Sequence, residues 1–218
     1  MITIKILVVG ANGQIGKHLI TFIQDYNHEA KAMIRNEEQA PFFKDLGAET
    51  VVADLEGEFE DIAKAAEGVD AIVFTAGSGG HTGKDKTIMV DLDGAVKTIE
   101  AAKVAGVKRF IMISSFDTTR EAIQAAPAGF APYVAAKHYA DEWLKGTDLD
   151  YTIIHPGALV NEEGTGKINA AVKVERGEVP REDIASVILG SLENESTIGK
   201  EFQVVAGDTP IAESLKLI

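Results

Sequence analysis

Ile4-Lys5-Ile6-Leu7-Val8-Val9-Gly10-Ala11-Asn12-Gly13-Gln14-Ile15-Gly16 begins as an apolar run and passes into three spaced glycines. Ile15, Leu19, Ile20, Phe22 and Ile23 then recur at helical spacing. The pattern predicts a buried strand, a tight turn and an amphipathic helix in direct succession. Glycines at such a turn let a phosphate approach the backbone, where free N–H groups and the helix dipole attract anions. Spaced glycines also occur in ordinary turns that pack a helix on a sheet. Here the strand before and the helix after supply the context that a dinucleotide-binding motif requires.

Similar apolar runs recur along the chain with helical patterns between them. Strands are predicted at Ile2–Val9, Glu29–Ile34, Glu49–Ala53, Ala71–Thr75, Phe110–Ile113, Tyr151–Ile154 and Glu201–Val205. Helices are predicted at Gln14–Tyr26, Glu37–Leu46, Phe59–Ala66, Lys86–Ala105, Tyr133–Lys145 and Arg181–Leu192. Strands without a polar face are those covered by helices on both sides. The alternation therefore predicts an α/β fold of Rossmann type, with a doubly wound, mostly parallel sheet. One domain over 1–218 with a small C-terminal extension is expected, its substrate-side elements mainly within 155–200. Asn161–Lys167 reads as a surface loop, and Thr209–Ile218 as a tail with a short helix.

Composition narrows the function classes. The hydrophobic share of 45% and charged share of 25% are those of an ordinary globular protein. A net charge of −13 argues against binding a nucleic-acid backbone. With no cysteine, disulfides and thiolate chemistry are excluded. No apolar run approaches the roughly 20 residues needed to span a bilayer. The first strand starts too early for a signal peptide to precede it, so a cytoplasmic location is expected. The histidines show no metal-ligand spacing, and no metal is expected.

In an open parallel sheet the ligand lies beyond the carboxyl ends of the strands. After the second strand stands Arg35, where NAD-selective proteins carry an acid for the ribose 2′-hydroxyl. A cation there favours NADP over NAD, with NAD still possible; the other reading is a surface arginine opening a helix. Asp54-Leu55 after the third strand is placed to meet the adenine amino group, or to cap a helix. Thr75-Ala76-Gly77 after the fourth is small enough for close backbone approach. The segment Ser78–Asp85 resembles a triphosphate-binding loop but lacks its first glycine and its final hydroxyl, and is set aside.

Ser114-Ser115 follows the fifth strand, and Tyr133-Val-Ala-Ala-Lys137 follows soon after. Residues four apart on a helix share a face. A phenol titrates near 10 when free, and a neighbouring ammonium favours the phenolate. With a serine hydroxyl opposite, the three residues make a proton relay for carbonyl reduction; the other reading of Tyr and Lys at this spacing is a packed phenol beside a surface lysine. His155-Pro156-Gly157-Ala158-Leu159 after the sixth strand breaks the strand and turns the backbone toward a nicotinamide. His155 has two readings, a titrating group or, as is more common for a lone histidine before proline, a structural residue.

Together these residues resemble the short-chain dehydrogenase/reductase superfamily, in particular its atypical members with an NmrA-like or epimerase-like pattern. The resemblance covers residues 3–206. It implies that Gly10, Gly13 and Gly16 form the phosphate loop, lined by Asn12, Gln14 and Ile15. It implies Arg35 at the 2′-phosphate, Asp54 and Leu55 at the adenine, and Thr75, Ala76, Gly77 and Ser114 along the cofactor. Pro156, Gly157 and Leu159 would flank the nicotinamide. Ser115, Tyr133 and Lys137 would form the catalytic set, Lys137 also holding the nicotinamide ribose.

Two departures matter. Relatives often have Asn where Asp91 stands, which suggests a different local geometry. The stretch after the sixth strand is also short for a substrate domain, which argues against a nucleotide-sugar epimerase. The expected activity is NADPH-dependent reduction of a small carbonyl, quinone or similar acceptor. The alternative is an NmrA-like regulator that senses NADP(H) without turnover. The substrate pocket is expected among His81–Lys86, Phe116–Phe130 and Asn161–Asn169, with Phe116, Phe130 and Tyr133 at an apolar mouth. Monomer and homodimer both remain open.

Overall fold

A computed structural model describes residues 3–218. Met1 and Ile2 lie outside the described residues, and with them the first position of the strand predicted from Ile2. In chain order the elements begin β1 (Lys5–Val9), α1 (Gln14–Asp25), β2 (Glu29–Ile34), α2 (Ala40–Asp45), β3 (Glu49–Val52), α3 (Phe59–Ala65) and β4 (Ala71–Phe74). Next come α4 (Lys84–Lys86), α5 (Gly94–Ala105), β5 (Arg109–Ile113), α6 (Arg120–Ala125), α7 (Ala131–Lys145) and β6 (Asp150–Pro156). The remainder is β7 (Ala158–Val160), β8 (Lys167–Ala171), β9 (Glu178–Pro180), α8 (Arg181–Glu193), β10 (Lys200–Ala206), β11 (Thr209–Pro210) and α9 (Ile211–Ser214).

Successive residues of a strand point to opposite faces, so an all-apolar strand feeds two cores. Ile6 and Val8 of β1 join Val73, Ile111 and Ile154 on the face covered by α1 and α8. Leu7 and Val9 join Ile72, Phe74, Phe110 and Met112 on the face covered by α3, α5 and α7. The central strands stand in the order β3-β2-β1-β4-β5-β6 and are all parallel, as predicted for a Rossmann-type sheet. Strand β10 adds parallel beside β6, and β8 and β11 then close that edge antiparallel.

The structure differs from the sequence reading in several places, among them residues 120–125, which were read as loop and form α6 with Thr119 as its N-cap. Residues 167–171, read as loop up to 169, form β8, because pairing with β10 supplies hydrogen bonds that no local periodicity announces. The strands β7, β9 and β11 likewise exist only through distant partners. The helix predicted over Lys86–Ala105 is interrupted by a π-helical segment, Thr87–Asp93. That wider winding accompanies complete burial of Asp91, whose Oδ2 accepts the Ser78 N–H at 3.1 Å.

The loop over 161–166 is held by the first turn of α8. Glu182 accepts the Gly164 N–H at 2.8 Å, and Asp183 accepts those of Thr165 at 3.0 Å and Gly166 at 2.8 Å. Arg109 ties the far end of the sheet together, donating to the carbonyls of Asp150 at 2.7 Å and Ser191 at 2.6 Å. Its Nη atoms also reach Thr152 and Thr197. Burial pushes the guanidinium down to about 10, so it stays charged at neutral pH. Arg109→Met leaves those acceptors without their donor and is expected to lower stability by about 2–3 kcal/mol in urea unfolding. An unchanged midpoint would refute the clamp. Among the described residues no helix is long and apolar enough to cross a membrane.

Candidate active site

The strand order reverses between β1 and β4, and a cleft of about 400 Å³ opens beyond their carboxyl ends. Gly10, Asn12 and Gly13 line it after β1, Arg35 after β2, Asp54 and Leu55 after β3, and Thr75, Ala76 and Gly77 after β4. Two glycines of the first loop are dictated by space. Gly10 has φ 87°, and a Cβ there would lie 2.6 Å from the Ala76 backbone nitrogen. A Cβ on Gly16 would lie 2.5 Å from the Gly10 carbonyl oxygen, so this glycine lets α1 sit directly on the turn. Gly13 is the N-cap of α1 and no side chain caps the helix, so the first-turn N–H groups are left for a ligand.

Around that loop the side chains divide. Arg35 is exposed and, among the described residues, has no ion pair; its N–H is fixed by Gln39 Oε1 at 3.0 Å. Asp54 caps no helix: its Oδ1 accepts the Glu56 N–H at 3.0 Å in a tight turn. Gln14 is exposed at the start of α1, whereas the Ile15 side chain is buried in the core and can offer the cleft only backbone. The cleft is also lined by Met33, Gln39 and Glu56, which the sequence reading missed, by Ser78 just past β4, and by Thr82 and Lys86 of the segment expected at the substrate pocket. Lys86 is paired with Glu56 at 2.6 Å.

The two serines after β5 have different surroundings. Ser114 is buried and its Oγ donates to Asp141 Oδ2 at 2.6 Å, so its hydroxyl proton is engaged inward. Ser115 is half-buried and its hydroxyl has no protein partner among the described residues. Tyr133 and Lys137 lie one turn apart on α7. The Tyr133 ring stands 5.2 Å from that of Phe130. Lys137 is drawn into the interior rather than standing along the cleft: it donates to the Ile113 carbonyl at 3.2 Å and lies 3.6 Å from Asp91 Oδ1. Phe74 lies beneath its ammonium, 5.7 Å away.

Other expected site residues sit elsewhere. Phe116 lines a second, smaller cleft rather than the large one, with Arg176 4.9 Å over its ring. Pro156 is buried at the end of β6, and Gly157 donates to the Val204 carbonyl at 2.8 Å. A side chain on Gly157 would collide with the Gly177 carbonyl, which explains the glycine by packing. Leu159 packs on the core in β7, and its carbonyl accepts from Arg181 at 3.1 Å.

Residues 10–195 match the family model for NAD(P)H binding. The chain belongs to that NAD(P)H-binding family. The glycine turn, the uncapped start of α1 and the cleft past β1–β4 suit such a cofactor. A Bacillus subtilis (strain 168) member, YhfK, bears the name of an uncharacterized sugar epimerase. It is 52% identical over 214 residues, covering 97% of this chain and 99% of its own. A solved Bacillus halodurans structure, provisionally labelled an NAD-dependent epimerase/dehydratase, superposes with a TM-score of 0.93. It is 45% identical and covers 99% of this chain and 100% of its own. The Lactococcus lactis oxidoreductase ylbE superposes with a TM-score of 0.88 at 35% identity, covering 98% of this chain and 96% of its own. These likenesses agree with the atypical short-chain dehydrogenase/reductase resemblance. The family's relatives thus carry both epimerase and oxidoreductase names.

Proposed function

We propose that the chain is an NADPH-dependent reductase of a small carbonyl, quinone or similar acceptor, with Ser115, Tyr133 and Lys137 as its catalytic set. The observation that carries this reading is the contrast at the end of β5. Ser114 is bound inward to Asp141 while the Ser115 hydroxyl is left free, beside the helix that bears Tyr133 and Lys137. Such a cofactor supplies a hydride when bound. Ser115 donates a hydrogen bond to the acceptor oxygen, and Tyr133 delivers its proton there, so that hydride and proton together complete the reduction. Lys137, fixed by the Ile113 carbonyl and Asp91, sets a positive charge one turn from the phenol.

Preference for NADPH rests on Arg35, an exposed cation after β2 with no acid beside it in Ile34-Arg35-Asn36. Replacing Arg35 with Ala is expected to weaken NADPH binding by about 10–100-fold, the size of one charge-assisted contact, and to leave NADH nearly unchanged. Nicotinamide fluorescence titrations of both variants check this; equal losses for the two cofactors would remove Arg35 from the site. Oxidation of NADPH on addition of quinones or aldehydes tests the reductase reading itself. Tight NADPH binding with no oxidation would favour the sensing role. Conversion of a sugar nucleotide with no net oxidation would favour the epimerase chemistry in the name of YhfK.

A further inference from the structure

Ser114, Phe116 and Thr118, which flank Ser115, are tied from behind. Asp141 of α7 accepts the hydroxyls of Ser114 at 2.6 Å and Thr118 at 2.9 Å. Gln203 of β10 donates to the Phe116 carbonyl at 2.8 Å. Between these anchors, His155 Nδ1 lies 2.6 Å from the Ser115 carbonyl oxygen. A carbonyl can only accept, so Nδ1 must carry the proton. His155 is 6% exposed and is held in register at the end of β6, just before the rigid Pro156. We propose that His155 is a positioning residue for Ser115: its Nδ1–H bond to the Ser115 carbonyl orients the free hydroxyl toward the substrate. This rests on the reductase reading, in which Ser115 meets the acceptor oxygen.

The other edge of the ring makes this hold sensitive to pH. His155 Nε2 borders a second cleft of about 170 Å³, separate from the large one, and stands 3.8 Å from Glu201 on β10. The acidic, basic and imidazole groups around the ring are Asp141, His138, Glu142 and Lys145 of α7, Glu201 of β10 and Asp117 of the loop. The neutral ring spends its single N–H on the Ser115 carbonyl at 2.6 Å. Protonation adds a hydrogen at Nε2, which faces Glu201 3.8 Å away, and a positive charge that strengthens the Nδ1–H bond to that carbonyl. Burial alone would lower the basicity of His155, but Glu201, Asp141 and the Ser115 carbonyl outweigh it, and the net shift is upward. With the folded value raised, the doubly protonated hold is complete below the ordinary imidazole value near 6.5 and fades as pH rises through the folded one.

Three proteins test this: wild type, His155→Leu and His155→Asn, whose amide N–H takes the place of Nδ1–H. His155→Leu is expected to lower kcat for acceptor reduction by about tenfold or more, as positional faults of catalytic groups do, while NADPH affinity stays within about twofold. His155→Asn is expected to recover most of the lost rate. It should also lack the decline in kcat that wild type shows as His155 deprotonates. A merely structural role would not produce that difference in pH profile. Wild-type kcat and pH profile in His155→Leu would overturn the proposal and leave the reductase reading intact. So would a His155→Asn protein whose pH profile matched that of wild type, which also carries the test if His155→Leu does not fold. A wild type that binds NADPH but reduces no acceptor would overturn both.

Discussion

Tyr133→Phe is expected to lower NADPH-dependent turnover by about 10²–10⁴-fold, the range covered by a positioned general acid. The substitution removes one oxygen and keeps the ring, so the contact with Phe130 at 5.2 Å survives. Among the described residues nothing in the protein is hydrogen-bonded to the phenol, so no buried partner is orphaned. Stability should therefore change by no more than about 0.5 kcal/mol, as for ordinary partly exposed positions. NADPH affinity should also hold, because Tyr133 is not among the residues lining the large cleft. Steady-state rates, a fluorescence titration and a melting curve on the same preparation separate these quantities. A variant that keeps half the wild-type rate would eliminate Tyr133 as the acid and leave the cofactor site standing.

The second large effect concerns Gly10. Gly10→Ala is expected to reduce NADPH affinity by about 10²-fold or more and stability by about 2–4 kcal/mol, the range of overpacking and left-handed strain combined. The residue has φ 87°, which an L side chain adopts at a cost. The new Cβ would also lie 2.6 Å from the Ala76 nitrogen and 2.9 Å from the Thr75 carbonyl carbon. Both neighbours are backbone, so relief requires β1 and β4 to move apart where Thr75 N–H meets the Val9 carbonyl at 2.9 Å. Gly106 provides the control, with φ 73° and nothing near the added atom. Gly106→Ala should cost only about 1 kcal/mol of stability and leave cofactor binding alone. Gly10→Ala binding NADPH like wild type would show that this turn is not the phosphate cradle.

Much of the fold could be read locally. Residues 6–9, 71–74 and 110–113 are continuous apolar runs because both their faces are covered, and their spacing alone implied parallel strands joined by helices. The glycine turn was legible for the same reason, since its residues meet one another within a few positions of the chain. The uncapped start of α1 and the residues closing β2, β3 and β4 followed from topology once the alternation was recognised.

What escaped the sequence depended on partners far apart along the chain. Strand β8 pairs with β10 more than thirty positions away, so no local pattern marked it. Ser114 and Ser115 are identical letters, and only the fold turns one toward Asp141 and leaves the other free. His155 read as a lone structural histidine until β6 and β5 lay side by side and brought it to the Ser115 carbonyl, forty positions back. Lys137 was expected along the cofactor, yet the burial of Asp91 in a π-helical turn draws it inward. The sequence by itself determined the central parallel strands, most of the helices between them and the glycine turn, because hydrophobic periodicity and glycine sterics act between near neighbours. Which serine hydroxyl is bound inward, which is left free and which charges stand behind them were decided by tertiary structure, because buried hydrogen bonds and ion pairs depend on what the packed chain brings within about 3–4 Å.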